Sequence, residues 1–238
     1  RTGITTAVSD ISFTIKIGEI IAIVGASGSG KTTLLRMMAG LEQSSSGTIS
    51  LGKELLKEPT KSVGIVLQHA TLFPWLTVEG NIESGLRLSN TKEPIIKKLT
   101  TRYLNLVGLS SVAQSYPWQL SGGMQQRVSI ARTLVNNPSI VLLDEPFGAL
   151  DVQTRFLMEE FLAQLWEEEQ KTMVLVTHDI EEALYVADRI VVLGTKPGRI
   201  KDILSVNLPR PRRSEMRYSE EFTRMKKYIS YMIRSEYI

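Results

Sequence analysis

Short apolar runs alternate along this chain with longer stretches in which apolar residues recur every three or four positions. The apolar runs cover residues 20–24, 63–67, 139–143, 172–176 and 190–193. Runs of this length are typical of strands that are covered on both faces, as in a parallel sheet. Helices are predicted at 34–39, 152–169 and 180–187 between them. Strands that alternate with helices predict an α/β fold with a mostly parallel sheet.

Three further stretches depart from this alternation. Residues 11–17 alternate apolar with polar side chains, which predicts a half-buried strand, and 48–51 predict a shorter one. Residues 77–136 carry apolar residues mostly at helical spacing and few β-rich runs, which indicates a helical insertion. A helix opening at residue 121 is predicted to stop at Pro138.

The C-terminal stretch holds the excess positive charge. Residues 208–213 are rich in proline and arginine and predict an extended linker. Phe222, Met225, Ile229 and Met232 then fall at steps of three and four residues, which predicts an amphipathic helix. We expect its apolar face to pack on the domain, and the basic residues of the whole stretch to be solvated or near anionic lipid. A regulatory contact or a dimer contact is the alternative.

A glycine-rich turn follows the first apolar run and precedes a helical pattern. Its residues are Gly25, Ala26, Ser27, Gly28, Ser29, Gly30, Lys31, Thr32 and Thr33, with the spacing G-x-x-x-x-G-K-[ST]. Such a turn points successive backbone N–H groups, and the positive end of the helix, at one concavity. Lys31 adds a positive charge for the outer phosphates, and the Thr32 hydroxyl is a ligand for Mg²⁺. The spacing therefore predicts phosphate binding rather than a plain glycine turn.

Polar residues stand at the ends of three other predicted strands. Asp144 and Glu145 follow the run at 139–143, His178 follows 172–176, and Gln68 follows 63–67. Carboxyl ends of parallel strands meet at the edge where α/β sheets bind ligands. There Asp144 and Gln68 could hold Mg²⁺, Glu145 could orient or deprotonate an attacking water, and His178 could contact the γ-phosphate. Two carboxylates that merely close a strand remain the alternative without the glycine turn.

Bulk properties exclude several classes of protein. The chain has 238 residues, no cysteine and a net charge of +3. Disulfides and thiolate metal sites are therefore excluded, and the charge is too small to argue for nucleic acid. The surplus of positive charge is concentrated near the C-terminus, since residues 209–238 hold eight basic and four acidic residues. No apolar run is long enough to span a bilayer, and no secretory signal pattern is visible at the start.

A second motif extends the prediction over nearly the whole chain. Residues 120–127 read L-S-G-G-M-Q-Q-R, and they precede the Asp144-Glu145-Pro146 strand end, Gly148-Ala149-Leu150-Asp151 and His178. This resembles the signature motif and the motif order of ATP-binding cassette (ABC) ATPases, with Gln68 between the glycine turn and the signature. The resemblance implies a P-loop NTPase with a RecA-like core, a mostly parallel sheet with an antiparallel β portion, and an inserted α-helical subdomain. We therefore expect an ATP-binding core at 1–76 and 137–208, a helical subdomain at 77–136, and a linker and helix at 209–238.

The resemblance also implies how the motifs work together. Two chains would dimerise head to tail, with ATP and Mg²⁺ held between the glycine turn of one and Ser121, Gly122, Gly123 and Gln125 of the other. Ser121 is a natural N-cap, and the glycines let a helix N-terminus approach phosphate closely. Asp151 would lie at the dimer seam, and Glu145, His178 and Lys31 would carry the hydrolysis. Gln68 would couple the nucleotide to a membrane partner.

Residues 72–78, 197–200 and 206–212 resemble the importer ATPases for nitrate, sulfonate, taurine and bicarbonate. That resemblance implies an ATPase on the cytoplasmic face of the cell membrane that powers uptake of a small anion. Its partners would be a second ATPase subunit, integral permease subunits and, indirectly, an extracytoplasmic solute-binding protein. The family's adenine-stacking aromatic residue is absent from residues 1–10. We expect it to lie before Arg1, since the chain does not begin with Met.

Two other functions stay open on the sequence alone. A soluble ABC-type ATPase acting on DNA or ribosomes usually carries long coiled-coil insertions or two fused cassettes, and neither fits in 238 residues. A P-loop kinase of a small metabolite would leave the signature motif unexplained. Formation of inorganic phosphate would distinguish an ATPase from such a kinase.

Overall fold

A computed structural model describes residues 6–234. Its strands are β1 Ile20–Gly25, β2 Ser50–Leu51, β3 Glu54–Leu55, β4 Val63–Val66, β5 Ile140–Asp144, β6 Thr172–Thr177, β7 Arg189–Leu193 and β8 Ile200–Ser205. Its α-helices are α1 Lys31–Met38, α2 Val78–Leu88, α3 Glu93–Leu106, α4 Gly122–Leu134, α5 Val152–Glu169, α6 Ile180–Val186 and α7 Glu220–Arg234. Short 3-10 helices lie at Ser110–Val112, Pro117–Gln119 and Ser214–Tyr218. This α/β order confirms the predicted fold class.

The main sheet of the described chain has the strand order β4-β5-β6-β1-β7-β8. Neighbouring strands from β4 to β7 are parallel, and β8 is antiparallel to β7. Because these five strands are parallel, their carboxyl ends, and the polar residues expected to bind a ligand there, lie along one edge of the sheet. A separate two-stranded antiparallel hairpin pairs β2 with β3.

Alternate side chains of the central strands enter two different cores. From β1, Ile20, Ala22 and Val24 join a large cluster that includes residues of the helices α2–α7, whereas Ile21 and Ile23 join a cluster with α1. Both faces of the sheet are therefore covered, which explains why its strands read as unbroken apolar runs.

Residues 77–136 form only helices and turns, as the helical spacing predicts. They share the large hydrophobic cluster with the sheet through residues such as Val78 and Ile82. The proposed boundaries of this subdomain stay a prediction. No helix within residues 6–234 is long and apolar enough to cross a membrane.

The predicted strand at 11–17 is wrong. These residues form no ladder within the described part of the chain, although Ile11, Phe13 and Ile15 do pack against the α1 side of the sheet. The alternating pattern correctly predicted that these three side chains are partly buried. A strand, however, also needs a partner strand with free backbone N–H and C=O groups. Strand β8 was not predicted, because its half-buried residues carry only a weak alternating pattern at the sheet edge.

Three of the eight basic residues in the C-terminal stretch are not solvated as expected, whereas the other five are exposed. Arg210 binds Asp188 at 2.9 Å and lies with its guanidinium carbon 3.9 Å from the centre of the Trp166 ring. Arg212 is buried and donates to the carbonyl of Ala187 at 2.8 Å. Arg217 forms an ion pair with buried Glu159. Helix α7 does pack its apolar face on the domain as predicted, through Phe222, Met225 and Ile229.

Candidate nucleotide-binding site

The glycine-rich turn connects β1 to α1 and lines a cavity of about 380 Å³. The lining residues are Ser27, Gly28, Gly30, Lys31, Thr32, Thr33, Glu145 and His178. Gly30 is the N-cap of α1 with φ +83°, and a Cβ there would lie 2.8 Å from the carbonyl oxygen of Ala7. Only glycine fits this position, because it is both left-handed and crowded.

Lys31 is turned toward the backbone of its own loop. Its Nζ donates to the carbonyl oxygens of Gly25 at 2.9 Å and Ala26 at 3.0 Å. Burial lowers the pKa of the Lys31 ammonium, and the nearby carboxylates of Glu145 and Asp144 oppose that shift. A cation held by two neutral carbonyls can exchange them for the anionic oxygens of a phosphate, which are stronger partners.

Thr32, which lines the cavity, contacts Asp144 at the end of β5. The Thr32 hydroxyl donates to Oδ1 of Asp144 at 3.4 Å. Burial raises the pKa of the Asp144 carboxyl, and the Thr32 hydrogen bond acts in the opposite direction. Within residues 6–234 no three His, Cys, Asp or Glu side chains are grouped as a metal site. One hydroxyl and one carboxylate suit Mg²⁺, which usually takes few protein ligands and completes its shell with water and substrate phosphates.

Glu145 and His178 face each other at the mouth of the cavity. Nδ1 of His178 lies 3.0 Å from Oε2 of Glu145. Glu145 has φ +45°, which is rare for a residue with a side chain, and its N–H donates to Val176 at 2.8 Å. Unusual backbone of this kind is often found at active sites, where the surrounding structure maintains it.

Gln68 lies on the exposed chain that follows β4. A Cβ on Gly148 would lie 3.2 Å from Nε2 of Gln68 and 3.5 Å from Oε2 of Glu145. The Gln68 amide and the Glu145 carboxylate therefore both lie close to Gly148.

The signature residues are outside the cavity lining. Ser121 caps α4 as predicted, accepting a hydrogen bond from the N–H of Met124. A Cβ on Gly123 would lie 2.7 Å from Cγ2 of Thr154, so this glycine also permits close packing of α4 on α5. A Cβ on Gly122 would likewise lie 3.2 Å from Cδ2 of Leu150.

Gln125 and Asp151 are engaged within the same chain. The Gln125 amide donates to the carbonyls of Pro117 at 2.9 Å and Leu120 at 3.3 Å, which ties the loop before α4 to the helix. Asp151 caps α5 by accepting the N–H of Thr154 at 3.1 Å, and hydrogen bonds from Thr154 lower the pKa of its carboxyl.

One structural support of the glycine turn was missed in the sequence. The segment at 196–198 packs behind the loop, where a Cβ on Gly198 would lie 3.1 Å from the carbonyl carbon of Ser29. Gly198 also donates to Ala7 at 3.0 Å and accepts from Ser9 at 2.8 Å. No local signal predicts contacts between segments this far apart in sequence. The expected adenine-stacking residue falls before Arg1 and so lies outside the described residues.

A buried strand, a glycine turn with its lysine, and a helix that opens on the cavity define a P-loop nucleotide-binding protein. Comparison with known families then narrows the class, since the ABC transporter family matches residues 8–148. The chain belongs to this family, and it is an ATP-binding ATPase.

Named relatives and solved structures agree with this assignment. The nitrate import ATP-binding protein NrtD of Synechocystis is 42% identical over 98% of this chain and 90% of its own length. The aliphatic sulfonates import ATP-binding protein SsuB of Bacillus cereus is 42% identical over 96% of this chain and 89% of its own. These relatives confirm the resemblance to the nitrate and sulfonate importer group.

The solved structures are similar in fold. A dimeric post-hydrolysis state of an ATP-binding cassette bound to ADP and Pi has a TM-score of 0.75 and 34% identity, covering 88% of this chain and 94% of that one. A second dimeric bacterial ABC transporter cassette has a TM-score of 0.75 and 33% identity, over 87% of this chain and 94% of that one.

Proposed function

We propose that this chain is the ATP-hydrolysing subunit of an importer for a small anion, and that two such subunits enclose ATP between them. The observation that carries the proposal is the incomplete cavity. The glycine turn, Glu145 and His178 line it from one side, whereas the capped helix start at Ser121 is outside the lining. A helix N-terminus with a serine cap and two glycines suits a phosphate of a second chain's nucleotide.

Within one subunit, the residues have separable tasks. The loop N–H groups and Lys31 hold the phosphates, and the Lys31 ammonium leaves its carbonyl partners to do so. Thr32 and Asp144, with Gln68, would hold Mg²⁺, which supplies charge neutralisation on the phosphates. Glu145 orients the attacking water and accepts its proton, and His178 fixes the Glu145 carboxylate at 3.0 Å.

Gln68 and the helical segment 77–136 supply the coupling to permease subunits. Two aromatic side chains of this segment, Trp118 and Tyr116, are exposed, and so is Trp75 just before it. Exposed apolar groups of this size suit a protein partner. Such a subunit works at the cytoplasmic face of the cell membrane, beside the permease, and meets the extracytoplasmic solute-binding protein only through it. The names of the relatives, nitrate and aliphatic sulfonates, favour a small anion as the solute.

The decisive experiment traps the ATP-bound state. Glu145→Gln removes the proton acceptor while keeping the side-chain shape, so we expect an ATP-dependent dimer that releases no phosphate. The matched control is Glu168→Gln on the exposed face of α5. Size-exclusion chromatography with light scattering in saturating Mg-ATP reports the dimer. A strictly monomeric Glu145→Gln protein in those conditions would count against the proposal.

The importer assignment needs a separate test. Co-expression of the chain with the permease of a nitrate or sulfonate importer from the same genome should yield a complex that survives detergent purification. Its ATP hydrolysis should rise when the loaded solute-binding protein is added. If neither the permease nor the solute-binding protein changes the rate of ATP hydrolysis, the chain is an ATPase without a transport role.

A further inference from the structure

A carboxyl group that the proposed mechanism does not use is buried against Thr177, the residue before His178. Glu182, on α6, is 2% exposed, and its Oε2 accepts a hydrogen bond from the Thr177 hydroxyl at 2.5 Å. Thr177 is itself 1% exposed and is the last residue of β6. The other carboxyl oxygen, Oε1 of Glu182, has no hydrogen-bond partner among residues 6–234. A buried polar atom without a partner costs stability, so the site calls for an explanation.

Both chain neighbours of His178 are tied into the same network. The N–H of Asp179 donates to the Thr177 hydroxyl at 3.0 Å, and Oδ1 of Asp179 caps α6 at the N–H of Glu181 at 2.9 Å. Oδ2 of Asp179 accepts from Arg155 at 3.2 Å. The backbone on either side of His178 therefore has little freedom, and the imidazole between these anchors reaches Glu145.

Burial keeps the carboxyl group of Glu182 neutral near pH 7. Burial raises the pKa of Glu182 to about 8, and the nearby carboxylates of Glu159 and Asp179 act in the same direction. Arg155 opposes them, and Arg217 pairs with Glu159. A neutral carboxyl group can remain buried, whereas an unpaired carboxylate there would be strongly disfavoured.

We propose that Glu182 is a positioning residue for ATP hydrolysis, which acts through the Thr177 hydroxyl to hold His178 against Glu145. The inference rests on the role of His178 proposed above. The hydroxyl accepts from Asp179 and donates to Glu182, so it links the end of β6 to the first turn of α6. Loss of that link lets the His178 backbone shift, and small displacements of a catalytic group cost large factors in rate.

The test combines two disruptive variants with one conservative variant. Glu182→Leu and Thr177→Val should each lower kcat about tenfold or more with less than a twofold change in the KM for ATP. Glu182→Gln should keep most of the parent's kcat, because the glutamine amide oxygen still accepts the Thr177 hydrogen bond. The double variant Thr177→Val with Glu182→Leu should lose no more than either single variant, because both remove the same contact.

Thr172→Val is the matched control. Thr172 is a buried threonine at the other end of β6, and its hydroxyl oxygen accepts the N–H of Gly18 at 3.0 Å. This change should lower the melting temperature without lowering kcat. An equal loss of kcat in Thr172→Val would overturn the inference, since any weakening of β6 would then suffice.

Two results separate this inference from the proposed function. If His178→Ala abolishes hydrolysis while Thr177→Val keeps the normal kcat, the positioning role alone is wrong. If His178→Ala keeps the normal rate, both the role of His178 and the inference built on it are wrong. Thr177→Val preserves side-chain shape, so the test holds even where Glu182→Leu fails to fold.

Discussion

Nδ1 of His178 lies 3.0 Å from Oε2 of Glu145, although 33 positions separate the two residues in sequence. The contact follows from the sheet, because β5 and β6 are adjacent parallel strands and each residue stands just beyond the end of its strand. The strained backbone of Glu145 turns its carboxylate toward the cavity and toward the imidazole. The pair therefore orients the carboxylate before any nucleotide arrives.

His178→Ala should lower kcat on the order of 100-fold, because the carboxylate of Glu145 loses the group that fixes it. The rate of phosphate release at saturating Mg-ATP measures this effect. His69→Ala is the control, since His69 is the other histidine of the sequence and is exposed. Equal rates for the two variants would refute the role given to His178.

The buried carboxyl of Glu182 predicts a pH dependence of stability. Burial raises its pKa in the folded protein to about 8 from an ordinary value of 4.5. Between these two values the unfolded chain releases the proton and the folded chain keeps it, so this group makes unfolding easier as the pH rises. The loss of stability caused by this group is absent below pH 4.5 and is complete above about pH 8.

Glu182→Gln removes that titration and should gain stability relative to the parent protein as the pH is raised from 5 to 8. Urea unfolding at both pH values measures the two free energies of unfolding. Glu168→Gln, on the exposed face of α5, should show the same pH dependence as the parent. Parallel stability curves for Glu182→Gln and the parent would show that Glu182 ionises normally.

The ion pair between Arg217 and Glu159 predicts that the C-terminal stretch stabilises the domain. The two side chains are 9% and 2% exposed, and the Arg217 guanidinium also stacks 3.9 Å above the Tyr185 ring. Arg217→Met leaves the Glu159 carboxylate buried without its partner, which should cost about 3 kcal/mol. For a chain of this size the melting temperature would fall by roughly 10 °C.

Arg224→Met provides the comparison, because the Arg224 side chain is 76% exposed in its ion pair with Glu221. Exposed pairs contribute about 0–1 kcal/mol, so its melting temperature should barely move. Differential scanning calorimetry distinguishes the two variants. A small change in Arg217→Met would mean that Glu159 is adequately solvated or neutral without the arginine.

The features that the sequence predicted correctly are those with local causes. The glycine turn, the Ser121 cap and the helix α5 at Val152–Glu169 each depend on residues within a few positions of one another. The spacing of apolar residues and the capping side chains determine such elements before any tertiary contact forms. The strand-end residues Glu145 and His178 were predicted for a similar reason, because parallel topology brings strand ends to one edge.

The features that were missed depend on partners distant in sequence. Residues 11–17 alternate as a strand should, yet they lack a neighbouring strand in the described chain. Arg210 and Arg217 were expected in solvent because local sequence cannot reveal Trp166 and Glu159 as their partners. Likewise nothing near Gly198 shows that it packs behind Ser29. Contacts of this kind follow from the assembled sheet rather than from any short pattern.

Gly123 offers a prediction that separates packing from nucleotide contact. A Cβ on Gly123 would lie 2.7 Å from Cγ2 of Thr154, and its next neighbour is Cγ of Met158 at 3.9 Å. Gly123→Ala alone should therefore destabilise the protein by about 1–3 kcal/mol through overpacking. Thr154→Ser deletes the methyl group in the way and keeps both the hydroxyl and the N–H that bind Asp151.

In the double variant Gly123→Ala with Thr154→Ser, we expect the melting temperature to return to that of the parent. ATP hydrolysis should nevertheless stay at least about tenfold low, because the added methyl group at the helix start would meet the phosphate of the nucleotide held by the second subunit. Thr154→Ser alone controls for the serine and should hydrolyse ATP normally. Recovery of hydrolysis together with stability would mean that Gly123 serves only the packing of α4 on α5, and the proposed contact across the dimer would then have to exclude this residue.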